Sequence, residues 1–251
     1  MFELTVSTSK AKYKDIDFIF SLLKNKIKSM KGIIVSEEID GRAKLALAVP
    51  EDKKEYALSL VFDAISEAII RDYKHDFLKK NLSLQTGNRI AESAFIRALS
   101  VYDKTSDKEY IKKCLKPTSE ILIDSFYAFR LWELEKRWKN IADLMSENCS
   151  YLCMSGGFSD LMKFLVLSND CETGEVHLCK GEGNIFCGDG SGKEFFNMIY
   201  DGENDNFVIS ILSELISLAP EKIIIHKELE NTFVANEILN VFDARVCVIK
   251  K

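Results

Sequence analysis

The most restrictive feature lies near the end of the chain. Lys222-Ile223-Ile224-Ile225-His226 is a continuous apolar run with polar ends, the pattern of an interior strand. Thr232–Phe242 follows, with Phe233, Ile238, Leu239 and Phe242 at helical intervals, and Arg245–Ile249 reads as a second strand. Strand, helix and strand in so short a stretch form a minimal crossover, which joins parallel strands and is expected to be right-handed. The chain must therefore contain a sheet with helices packed on it.

The first eighty residues point the same way. Phe2-Glu3-Leu4-Thr5-Val6 alternates apolar and polar, as a half-buried strand does. Ile16, Ile19, Phe20, Leu23 and Ile27 mark one face of a helix over Tyr13–Met30, and Gly32 is placed to end it. Ile33-Ile34-Val35 and Lys44–Val49 flank Asp40-Gly41, a strong hairpin signal. Pro50-Glu51-Asp52 opens a helix that carries Leu58, Val61, Phe62, Ile65 and Ile69 and runs to about Lys80.

The middle reads as helical. Helices are expected over Asn88–Tyr102, over Asp107–Leu115, and from Pro117-Thr118-Ser119-Glu120 to about Met145 or beyond. The last of these would carry Leu122, Phe126, Phe129, Leu134 and Trp138. Ser155-Gly156-Gly157 breaks the pattern before a short helix at Asp160–Leu167. Glu175–Leu178 and Asn184–Cys187 look like paired strands. Asp205 or Asn206, after a polar loop that begins at Asp201, is placed to cap the apolar helix Phe207–Leu218, which Pro220 closes. The expectation is an α/β fold of the α+β type, with small mixed sheets at both ends of the chain flanking a helical middle. Residues 1–82, 83–168 and 169–251 form its three regions, with no clean linker between them.

Charge and cysteines bound the function. Lys and Arg total 34 against 39 Asp and Glu, a formal charge of −5, so the chain lacks the basic surplus usual in duplex-DNA binders. The basic residues cluster early: residues 1–31 carry seven lysines against three acids. Lys24, Lys28 and Lys31 share a helix face there, which reads as solvated rather than as a nucleic-acid surface. The most apolar stretch, Asn206–Pro220, is too short to span a bilayer and is interrupted by Glu214. The N-terminus has no long apolar core of a secretory signal. These features point to the cytoplasm, where the seven cysteines would be free thiols. Cys149, Cys153, Cys171 and His177 match no standard zinc spacing, and the cysteines read as small buried apolar residues; no metal and no cofactor is expected.

Gly188-Asp189-Gly190-Ser191-Gly192-Lys193 fails as a phosphate loop, since Cys187 stands where the first glycine belongs and Glu194 replaces the hydroxyl after the lysine. It reads as a flexible turn. His226, at the carboxyl end of the Lys222–His226 strand, is the most interesting single residue, because ligands of open sheets sit at such ends. No carboxylate or nucleophile is recognisable beside it in the sequence. Arg130, among Phe126, Phe129, Leu131 and Trp132, is expected to be partly buried and held by an ion pair.

Three stretches in order, Phe126-Tyr127-Ala128-Phe129-Arg130-Leu131, Leu218–His226 and Phe242-Asp243-Ala244-Arg245-Val246, resemble the YtxC-like sporulation proteins of spore-forming Firmicutes. The resemblance covers roughly residues 80–250, and the N-terminal segment fits it more loosely. It implies a cytoplasmic protein of sporulating cells. It brings no established activity, cofactor or catalytic residue, so no functional role carries over to Phe129, Arg130, Pro220, Lys222, His226 or Arg245, which match the pattern. With no catalytic grouping legible, the leading expectation is a non-enzymatic protein that binds a protein partner. The rival is a small-ligand-binding protein or enzyme with a pocket near His226, lined by Lys222 and by Arg130 or Arg245.

Overall fold

A computed structural model describes residues 1–84, 87–154, 157–200 and 204–248, with only the backbone described at 149–154, 158 and 159. Ser155, Gly156, Asp201, Ile249 and the side chains of Cys149 and Cys153 thus lie outside the described residues. The chain forms two compact units. One comprises Met1–Lys80 and Asp103–Ile141, the other Asn81–Tyr102 and Ala142–Lys251.

The first unit is built on β1 (Phe2–Ser9), α1 (Tyr13–Ser29), β2 (Ile33–Ile39), β3 (Arg42–Val49) and α2 (Lys54–Ala68). The helix of α2 continues through a π-helical stretch, Ile69–Lys74, into α3 (His75–Asn81). Asp40 and Gly41 both have positive φ, 52° and 72°, as a two-residue hairpin turn requires. The left-handed residue that ends α1 is Lys31, at φ 59°, and not Gly32. Gly32 is needed for a different reason. A Cβ there would stand 2.7 Å from Val49 and 2.9 Å from the Ala48 carbonyl oxygen, so only a glycine lets the chain pass β3 so closely.

After α5 (Lys104–Cys114) the expected helix start at Pro117–Glu120 is wrong. Glu120–Leu122 is a strand, β4, parallel to β1 with Val6 opposite Ile121. Burying Ile121 against the sheet outweighs the capping signal, and the Thr118 hydroxyl bonds the Glu120 carbonyl instead of a helix amide. The sheet order is β2-β3-β1-β4. The expected long helix is two, α6 (Ile123–Arg130) and α7 (Trp132–Met154), joined at the fully buried Leu131.

The core of this unit joins Leu4, Val6, Leu45, Leu47 and Val49 of the sheet to the apolar stripes of α1 and α2, and reaches Trp138. Buried polar groups interrupt it. Lys74 donates to Asp107 Oδ2 at 2.7 Å, and Trp138 Nε1 donates to the same oxygen at 3.0 Å, so the buried charges are paired and hydrogen-bonded. Asp15, only 2% exposed, leaves Oδ2 without a hydrogen bond.

The second unit contains α4 (Arg89–Val101), α8 (Gly157–Ser168), β5 (Thr173–Lys180), β6 (Asn184–Gly188), β7 (Glu194–Ile199), α9 (Asp205–Leu218), β8 (Pro220–Ile225), α10 (Phe233–Phe242) and β9 (Val246–Val248). Its mixed sheet runs β7-β6-β5-β8-β9, with β8 parallel to both its neighbours. The β8-α10-β9 crossover is the one anticipated from the sequence. Asn204, not Asp205 or Asn206, caps α9 by accepting from the Phe207 amide. The expected flexible turn at Gly188–Lys193 is an ordered hairpin into an unanticipated strand, β7; Asp189 Oδ1 accepts from Ser191 N, Ser191 Oγ and Lys193 N. Arg97 of α4 donates to Ser217 of α9 and ties those helices together.

Burial, and next to it Asp72, raises Asp15 from the ordinary carboxyl value to about 6. Its proton is therefore held more tightly folded than unfolded. The stability this supplies is complete below about pH 4 and is lost as pH rises through about 6. Asp15→Asn should be more stable than wild type at pH 8 by up to about 3 kcal/mol, with the advantage shrinking between about pH 6 and pH 4. Thermal unfolding followed by circular dichroism across pH 4–8 checks this; a difference independent of pH contradicts it.

Candidate functional site

Strand alternation decides which side chains of β5 and β8 meet. Val176, Leu178, Ile223 and Ile225 are fully buried on one face. The alternate residues, Glu175 and His177 on β5 and Lys222 and Ile224 on β8, lie on the other; Ile224 is buried there, and the three polar residues are partly exposed. Glu175 pairs in register with Lys222, and His226 directly follows β8, where its amide donates to the Leu178 carbonyl.

These residues form one hydrogen-bonded row. Lys222 Nζ lies 2.8 Å from Glu175 Oε2, Glu175 Oε1 lies 3.0 Å from His177 Nε2, and His177 Nδ1 lies 3.0 Å from His226 Nε2. A carboxylate only accepts, so His177 Nε2 carries a proton. When His177 is neutral, its Nδ1 is a bare acceptor and His226 Nε2 donates to it. The Lys222 ammonium holds the Glu175 carboxyl below its usual range, and Glu175 in turn raises Lys222. Gly190, in the β6–β7 turn, lies beside this row, since a Cβ there would stand 3.7 Å from His177 Nε2. The arrangement can orient an imidazole, relay a proton along the row or offer ring nitrogen to an electrophile.

The sequence-selected residues separate. His226 and Lys222 belong to the row, joined through Glu175 and His177. Glu175 went unremarked in the sequence, although Glu-x-His on one strand face was a visible signal. Arg245 is elsewhere. Its guanidinium donates to the carbonyls of Leu167, Asn169 and Pro220, and Pro220 starts the strand that His226 follows. Arg245 itself stands one residue before Val246, which pairs with Ile223, so it is the guanidinium that is turned away from His226, toward the start of β8. Arg130 belongs to the first unit and, contrary to expectation, is exposed and makes no ion pair among the described residues. It stands on α6 with its side chain outside the core, because Ile123 and Leu131, not Arg130, occupy the buried side. Cys171 is likewise exposed rather than buried. No group of three or more His, Cys, Asp or Glu placed to hold a metal ion occurs among the described residues.

Arg130 borders a second feature, a groove of about 390 Å³ beside β4 and α6. Ile121, Leu122, Phe126 and Phe129 give it an apolar floor and wall, with Lys116 and Arg130 among its polar lining. Phe129 is 78% exposed, and Trp132, just beyond it in sequence, 59%. Phe129 is expected with Leu134 and Trp138 among the large apolar residues of one helix; those two are buried and Phe129 is not.

Comparison with known proteins matches residues 60–247 to the model of the YtxC-like family. No curated protein and no solved structure matches the chain. No helix among the described residues is long and apolar enough to cross a membrane.

The contrast between the two arginines is testable by urea unfolding. Arg245→Ala should cost about 1–3 kcal/mol, because three carbonyls lose a charged donor. Arg130→Ala should stay within about 0.5 kcal/mol of wild type. Equal effects would contradict these placements.

Proposed function

This chain belongs to the YtxC-like family, and on that premise we propose that it serves sporulation in the cytoplasm by binding a protein partner through the groove beside β4. One observation supports the reading above others: Phe129 stands in solvent at an apolar groove, with Trp132 exposed a little further along the chain, at a cost that a monomer with no partner has no reason to bear. The partner's chemistry follows from the lining. An apolar or aromatic side chain fills the space over Ile121 and Phe126, and a neighbouring carboxylate meets Arg130 and Lys116. Exposed aromatics with an adjacent arginine have the composition of binding hot spots.

The rival reading, a ligand site at His226, keeps the Glu175–His177–His226 row as support. It loses Arg245, whose guanidinium is already committed to carbonyls.

The test is a Phe129→Ala, Arg130→Glu double variant in a spore-forming host. Both side chains are exposed, so the variant should unfold at the wild-type temperature. Spore counts should fall toward those of a deletion strain while vegetative growth and protein level stay normal. Wild-type spore counts at wild-type protein level would refute the reading.

A further inference from the structure

The histidine row carries an inference independent of the groove. We propose that His177 and His226 together bind one late first-row divalent metal ion of the Zn(II), Ni(II) or Cu(II) kind, with Glu175 as the residue that orients the pair.

Distance is the first support. A metal with imidazole nitrogens at about 2.0–2.1 Å holds two neighbouring donors about 3 Å apart, rather less in a square plane and rather more in a tetrahedron. His177 Nδ1 and His226 Nε2 are 3.0 Å apart. The two rings are tilted by 50° and their centroids are 5.3 Å apart, so the two nitrogens face each other across the gap, and each ring must turn slightly for both lone pairs to meet at one ion.

Tautomer is the second. Glu175 accepts the proton on His177 Nε2, which leaves Nδ1, the nitrogen facing His226, with its lone pair free. A carboxylate behind a ligating histidine is the usual outer partner of a metal-bound imidazole, and it both fixes the ring and strengthens its donor nitrogen. In the metal-free protein the second nitrogen, His226 Nε2, carries the proton that bridges the rings. Binding needs only the other neutral tautomer of His226, with that proton on Nδ1, so no net proton is lost from the neutral pair.

Charge is the third. Lys222 neutralises Glu175, so the row offers imidazole nitrogen and little net negative charge. That disfavours calcium and magnesium, which need oxygen donors, and favours metals that prefer nitrogen. No third side chain completes the set among the described residues. Water must fill the remaining positions, and His177, about a quarter exposed, is open to it. The bound ion would clip β5 to the segment after β8 and keep exchangeable positions.

The whole chain should be titrated with Zn(II) by calorimetry and with Cu(II) by electron paramagnetic resonance. The variants are His177→Ala, His226→Ala and Glu175→Gln, each checked for folding by circular dichroism. One equivalent of Zn(II) should bind the wild type, and each alanine variant should weaken binding at least tenfold. Glu175→Gln should weaken it about tenfold with both ligands still present. The Cu(II) spectrum should show coupling to two nitrogens, and to one in either alanine variant. Wild-type affinity in both alanine variants, or a Cu(II) spectrum unchanged by them, overturns the proposal and assigns the metal to other groups such as Cys171 and Cys247.

Discussion

Side-chain alternation along β5 and β8 is the constraint on which the second unit depends. Val176, Leu178, Ile223 and Ile225 lie on one face to build its core, and a slip of one residue in β5 would carry Val176 and Leu178 to the face that Glu175 and His177 occupy. Fixing that register also fixes its opposite. Glu175, His177 and Lys222 are carried to the far face, and His226 meets them at the strand end. The polar row is thus a by-product of apolar packing that supplies its precision, since the strands beneath it cannot shift without loss of core.

The first unit handles polar groups differently. Lys74, Asp107 and Trp138 satisfy one another inside the core, where each would be costly alone. Asp15 is not so well served, and its raised proton affinity is the consequence. Arg42 and Asp124, by contrast, form a partly exposed bidentate pair, with Asp124 held below the usual carboxyl range by that arginine against the opposing effect of burial. Each of these groups is buried or paired, whereas Phe129, Trp132 and Arg130 stand exposed.

What the sequence disclosed tracks how local the cause is. The β2–β3 hairpin was legible because Asp40 and Gly41 alone decide the turn. The α1 stripe and the β8-α10-β9 unit were legible because their periods are written in adjacent residues. β4 was not, because the three residues that form it are strand only by pairing with β1, more than a hundred positions earlier. β7 was missed although its partner β6 is adjacent, because Gly188–Lys193 reads as a flexible turn and not as a hairpin between two strands. At the site, His226 could be singled out from its position at a strand end, but its partner could not. Which residue of β5 stands beside it is a matter of parallel register, and no single segment contains that information. Phe129 misled because apolar spacing does not distinguish a side chain in the core from one at a groove's rim.

The hydrogen-bonded row of Glu175, His177 and His226 is read directly by imidazole nitrogen shifts from long-range proton–nitrogen NMR on selectively labelled histidine. His177 should be protonated at Nε2 with Nδ1 unprotonated, and this preference should weaken in a Glu175→Gln variant. Two rings in free tautomeric exchange, indifferent to that substitution, would contradict the arrangement of β5 and β8 described above.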